Sequence, residues 1–188
     1  MKKLLCINNK KAMSFAELIV VLAIIALVAS MALPGLKKYT GRAEMGKLAQ
    51  KAYSNLEQAI DNAVLTQNSM KRWDFSTANS ASFLGKYITP NLKHKASGLN
   101  TLTTFDGMVM SVDSCDGTIC TLSVDVNGSK LPNTLGKDKL KFIIDKADQR
   151  VEPHPKGVVK HLIEHNWTFS ETLWNCAVGT AYTDNCTY

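Results

Sequence analysis

Three groups of side chains in this chain have the types and spacing for chemistry. The first is His161-Leu162-Ile163-Glu164-His165, which fits the H-x-x-E-H pattern of one zinc peptidase class and places both imidazoles on one helix face. Such a centre needs a further ligand far downstream inside a large domain, and Glu171 and Asp184 are the acids among the 23 residues that follow His165. A short surface helix with Val158, Leu162 and Ile163 as apolar partners is expected instead, and no enzyme. The second group is Asp125, Asn127 and Asp138, whose oxygens could hold Ca2+. Counting from Asp125, however, the glycine falls fourth, not sixth as in an EF-hand loop. As a plain connector the same run is an Asn127-Gly128 turn with surface acids. The third group is the thiols Cys115, Cys120, Cys176 and Cys186, besides Cys6 near the start. Nine residues lie between Cys176 and Cys186, which does not suit a zinc site. The sequence contains no Gly-rich phosphate loop, nucleophile elbow or paired catalytic carboxylate.

The elements that must position these groups follow from hydrophobic period. Met108 to Val112 and Thr121 to Val126 alternate as strands, and Asp116-Gly117 is a favoured turn pair. A four-residue loop there sets Cys115 opposite Cys120, where a disulfide can close. Leu140 to Ile144 reads as a third strand. Upstream, Met45, Leu48, Ala49, Ala52, Leu56, Ala59, Ile60, Ala63 and Val64 recur at steps of three and four, one apolar stripe on a helix from Leu36 to Thr66. Arg42, Lys47, Lys51, Glu57 and Asp61 form its solvated side. Gln67 to Arg72 leaves the helix, and a short helix around Ser82 to Ile88, ended by Pro90, lays Phe83, Leu84, Tyr87 and Ile88 against the core. The fold expected is α+β, a long N-terminal helix packed on a small antiparallel sheet.

That helix begins much earlier. Leu18 to Leu36 is a run of 19 uncharged residues, which as a helix extends about 28 Å, close to the hydrocarbon thickness of a bilayer. Lys10 and Lys11 precede it and Lys37 and Lys38 follow. Pro34 and Gly35 predict a kink or a locally unwound turn. Glu17 stands at the front edge, where a carboxylate costs up to about 2.5 to 3.5 kcal/mol if drawn to the membrane centre. A secretory signal accounts for the basic start and for the small residues Val28-Ala29-Ser30, but not for Glu17. In a plain single-pass anchor, Glu17 would snorkel to the interface.

The run Met13-Ser14-Phe15-Ala16-Glu17-Leu18-Ile19-Val20-Val21-Leu22-Ala23-Ile24-Ile25-Ala26, with Pro34 beyond it, resembles the processing signature of type IV pilins and type II secretion pseudopilins. In that family a basic leader is removed, glutamate is the fifth residue after the cut and proline the twenty-second. A cut between Ala12 and Met13 brings Glu17 and Pro34 into both positions. Ala12 stands where the family usually has Gly, and Met13 where it usually has Phe. The resemblance implies a leader at 1–12, a membrane and filament-core helix at 13–36 and a periplasmic pilin-like domain at 37–188. It implies an inner-membrane, single-pass protein that then enters a pilus or pseudopilus. Its expected partners are a prepilin peptidase that cuts and methylates Met13, an inner-membrane assembly platform, the lipid bilayer before assembly, and other pilin-like subunits in a homo- or hetero-polymer. Glu17 would meet the Met13 amine of a neighbouring subunit. The alternative is a membrane-anchored or secreted periplasmic binding domain with no assembly role.

Charge and cysteines fit this scheme. The net charge is +6, but the leader holds four lysines and no acid, which leaves +2 on the mature chain and no indication of nucleic acid. Loss of Cys6 leaves four cysteines, an even count that suits an oxidising compartment. Four allow three connectivities, of which proximity favours Cys115 with Cys120 and Cys176 with Cys186. The loop between the last two resembles the disulfide-bounded region that many pilins expose. Some secretion pseudopilins carry a calcium site, and the 125–138 run resembles connectors in pseudopilin-like proteins, so Ca2+ is the one cofactor expected, if any.

Overall fold

The computed structural model describes residues 14–77, 80–155 and 157–176, with side chains at all of these except 34–39 and 176. Ala12, Met13 and Cys186, and with them the cleavage site, the leader and the pairing of Cys176 with Cys186, lie outside the described residues. The chain divides into two compact units, residues 1–40 and 41–188, and helix α1 (Phe15–Gln67) has residues in both.

Within the first unit, Phe15–Leu33 is long and apolar enough to cross a membrane, and none of it is buried. Leu18, Ile19, Leu22, Ile24, Ile25 and Val28 are each between 45% and 58% exposed. A helix apolar on every face is suited to apolar surroundings, not to one side of a core. Helical structure continues through Pro34 and Gly35, so the expected unwound turn does not form. Proline in a helix interior costs about 3 kcal/mol, and continuous helix on both flanks carries the backbone across it.

Within the second unit, the rest of α1 buries Met45, Ala49, Ala52, Leu56, Ala59, Ile60 and Ala63, with Leu48 and Val64 partly covered. The stripe faces an antiparallel sheet which, among the described residues, has six strands in sequential order. These are β1 (His94–Ser97), β2 (Thr101–Thr104), β3 (Val109–Cys115), β4 (Ile119–Asp125), β5 (Lys139–Asp145) and β6 (Arg150–Pro153). Alternation puts Met110 and Val112 of β3, Cys120, Leu122 and Val124 of β4, and Leu140, Phe142 and Ile144 of β5 in the core. Cys115 pairs with Cys120 across the β3–β4 turn, and the two form a disulfide. Strands β1, β2 and β6 have four residues each, too few for a period-two signal to stand out from their polar composition.

Between α1 and β1, helix α2 (Ser80–Phe83) runs into a π-helical turn at Leu84–Ile88 and a 3-10 turn at Thr89–Asn91. Phe83, Leu84, Tyr87 and Ile88 are all buried. Trp73 stacks on Tyr87 with centroids 4.4 Å apart, and the Tyr87 hydroxyl accepts the Asp74 N–H at 3.0 Å. After the sheet come α3 (Val158–Glu164) and α4 (Glu171–Cys176). Val158, Val159 and Leu162 anchor α3, whereas Ile163, expected among its apolar partners, is 39% exposed.

Gly46 is buried in α1 and carries its own constraint. A Cβ there would run into the Trp167 carbonyl, a backbone group that cannot swing away. Helix propensity favours Gly46→Ala by about 1 kcal/mol, but overpacking against backbone costs about 1 to 3 kcal/mol. The clash is expected to win, so denaturant unfolding of Gly46→Ala should give a lower midpoint than wild type. An increase would mean that Trp167 does not bear on the helix.

Candidate functional site

The connector between β4 and β5 brings Asp125, Asn127 and Asp138 together. Asp125 closes β4 opposite Lys139, and the Val126 N–H donates to the Asp138 carbonyl at 2.8 Å, so the start and end of the loop are held side by side. Gly128 sits at φ 67°, where a side chain would also strike the Gly107 carbonyl, and Gly136 at φ 87°. Both positions require glycine, the first for space as well as dihedral. Asn133, at φ 50°, donates from Nδ2 to the Lys130 carbonyl at 3.0 Å and folds the loop tip inward.

Asp138 is fully buried, and its two carboxylate oxygens accept the backbone N–H groups of Thr134 and Asn133, each at 2.6 Å. Charge-assisted bonds this short brace the loop. By contrast, Asp125 Oδ1 and Asn127 Oδ1 are buried without a hydrogen-bond partner. Burial first, and then the Asp138 charge, pushes the Asp125 carboxyl above the usual carboxylate range, while the N–H groups of Asn127 and Gly128 pull the other way. Unpartnered oxygens near a second carboxylate are hard donors of the kind that Ca2+ takes, and such an ion would draw its remaining ligands from backbone carbonyls and water. Asp125 and Asn127 would hold the ion, and Asp138 shapes the loop around it. The orphan oxygens, not the acids as such, mark the place, and these could not be seen in the sequence.

Glu17 lies at the start of α1. Its Oε2 accepts the Ser14 N–H at 2.8 Å, one half of a capping box that the Ser14-x-x-Glu17 spacing encodes. Pro34 lies within α1.

Around α3, His161, Glu164 and His165 cluster on one face. Burial first, and then the His165 charge, holds His161 below the usual imidazole range. Nearby is an open groove of about 530 Å³ lined by Tyr53, Glu57, Arg150, Glu152 and Lys160 among others. The guanidinium of Arg150 is taken up by Glu152, at 2.7 Å from Nε and 2.6 Å from Nη2. Tyr53 is pushed up to about 12, by burial first and then by its hydrogen bond to Glu57, so it keeps its proton at neutral pH.

Searched against protein-family models, curated proteins and solved structures, the chain matches none of them.

The folded chain binds the Asp125 proton more tightly than the unfolded chain. Its contribution to stability is therefore fully present below the unfolded value of 3.8 and is lost as pH climbs through the raised folded value. At neutral pH without metal the buried charge is a liability. Asp125→Asn should then be at least as stable as wild type in chelator, whereas calcium at about a hundred times its Kd should stabilise only wild type, by about 2.7 kcal/mol. Equal calcium shifts in both proteins, read by thermal unfolding, would remove this site.

Proposed function

We propose that the chain is a structural subunit of the pilin type, inserted in the inner membrane by its apolar helix, cut between Ala12 and Met13, methylated, and polymerised into a type IV pilus or type II secretion pseudopilus. One observation carries the reading: the 19-residue segment Phe15–Leu33 presents apolar side chains on every face, buries none of them within its own chain, and bears an acid in its first turn. Such a helix is supported by lipid at one stage and by copies of itself at another, since both surround it with apolar surface. Glu17 is the polar group that distinguishes the two. In a filament core, its carboxylate and the Met13 amine of a neighbour offset each other's desolvation and set the register between subunits. The domain at 41–188 would face the outside of the polymer, with Ca2+ at Asp125 and Asn127 neutralising the loop's acids and stiffening it.

Glu17 has two candidate roles, the cap to Ser14 and the pairing with a neighbour, and two substitutions separate them. Gln keeps a carbonyl for the Ser14 N–H and removes the charge, whereas Ala removes both. Loss of a cap costs about 0.5 to 2 kcal/mol of helix stability. If pairing drives assembly, Glu17→Gln and Glu17→Ala should both insert in the membrane and both fall several-fold in the sheared filament fraction. Filament levels at wild type for Gln would leave only the cap, and at wild type for both would remove the pairing; absence of the wild-type chain itself from the sheared filament fraction would sink the assembly reading in favour of a plain membrane-anchored domain.

A further inference from the structure

The cluster on α3 offers chemistry different from that of the β4–β5 loop. One ligand atom each from His161, Glu164 and His165 lies within 4.8 Å of the other two. The imidazole rings face one another with centroids 3.9 Å apart. Their spacing is fixed by the backbone, because His165 caps the helix and its N–H donates to the His161 carbonyl at 3.0 Å. Val158, Val159 and Leu162, all buried, hold α3 against the core, and the two histidines flank that buried side, His161 half-buried and His165 exposed. Glu164 and His165 are exposed and their side chains can rotate.

We propose that His161, Glu164 and His165 form a binding site for a divalent transition-metal ion of the zinc class, with two imidazoles and one carboxylate as ligands and a fourth position open to water. Zinc holds imidazole nitrogen at about 2.0 to 2.1 Å and carboxylate oxygen at about 2.0 to 2.2 Å, so ligand atoms across a tetrahedral centre stand about 3.3 Å apart. Rotation of the exposed Glu164 and His165 side chains closes the remaining gap without moving the backbone. Residues at i, i+3 and i+4 lie side by side on a helix, which makes chelation local and ties the ion to the folded state of α3. Imidazole with carboxylate suits zinc, copper or nickel, whereas the all-oxygen set at Asp125 and Asn127 suits calcium. The two sites therefore take different ions.

The test uses the full chain in detergent micelles, without reductant, and Zn2+ alone as the probe. Wild type should bind one zinc saturably by calorimetry, and its thermal midpoint should rise with zinc concentration. His161→Ala and His165→Ala should each weaken the zinc Kd more than about tenfold and abolish the thermal shift. His94→Ala, which alters a histidine on β1, should bind as wild type does, and excess calcium should leave the zinc isotherm unchanged. If His161→Ala fails to fold, the exposed Glu164→Gln gives the same reading and should also weaken binding. Absence of saturable zinc binding in wild type, wild-type affinity in the α3 variants, or an equal loss in His94→Ala would overturn the proposal.

Discussion

Between Met45 and Ala63, α1 presents a stripe in which four alanines, at 49, 52, 59 and 63, have no exposed surface at all, alongside the larger Leu56 and Ile60. Small side chains let backbone approach backbone, and the rest of the domain is arranged around that close approach. Tyr53 lies against Phe142 of β5 with centroids 6.1 Å apart and against Trp167 at 5.6 Å, while Gly46 leaves room for the Trp167 carbonyl itself. A meander with four-residue outer strands would not be stable alone, because its inner face needs a cover. Burial of Leu56 or Ile60 contributes about 1.5 to 3 kcal/mol each, and the stripe shares one buried cluster with the inner face of the sheet.

The same meander explains why the candidate sites lie where they do. Strands β3, β4 and β5 are joined by turns on the surface, and the longest connector, from β4 to β5, has to satisfy its own backbone. Asp138 does much of this, taking two N–H groups into a buried carboxylate. Using Asp138 as a brace leaves Asp125 and Asn127 with oxygens that the protein does not partner. A candidate cation site thus arises from how the loop is tied, and α3, which packs after the sheet, carries the second candidate donor set, of softer character. Neither arrangement needs a preformed cavity.

Much of this fold could be read from the sequence where side-chain period was long or a turn was explicit. The Met45–Val64 stripe has enough repeats to define a helix face, and Asp116-Gly117 set the hairpin that pairs Cys115 with Cys120. Strands β1, β2 and β6 carry no legible period, because His94-Lys95-Ala96-Ser97 and its counterparts are short, polar and at or near the sheet margins. The unwound turn expected at Pro34 does not occur, since propagation from both sides outweighs one lost hydrogen bond. Asp125, Asn127 and Asp138 were named together as oxygen donors, yet their division into two orphans and one brace depends on backbone N–H directions that residue types do not carry. The Ser14–Glu17 cap is encoded in the i, i+3 spacing, and the same glutamate also fits the assembly role that the resemblance implies.

A filament subunit of this kind must enter the membrane as a precursor and be cut ahead of an apolar helix that later leaves the lipid. Mass spectrometry of the mature N-terminus tests this most directly. The predicted result is a chain beginning at N-methylated Met13, with Cys6 removed. A start at Met31 would mean cleavage by a secretory peptidase, an unprocessed Met1 would mean a plain anchor, and either result would contradict the filament-subunit account.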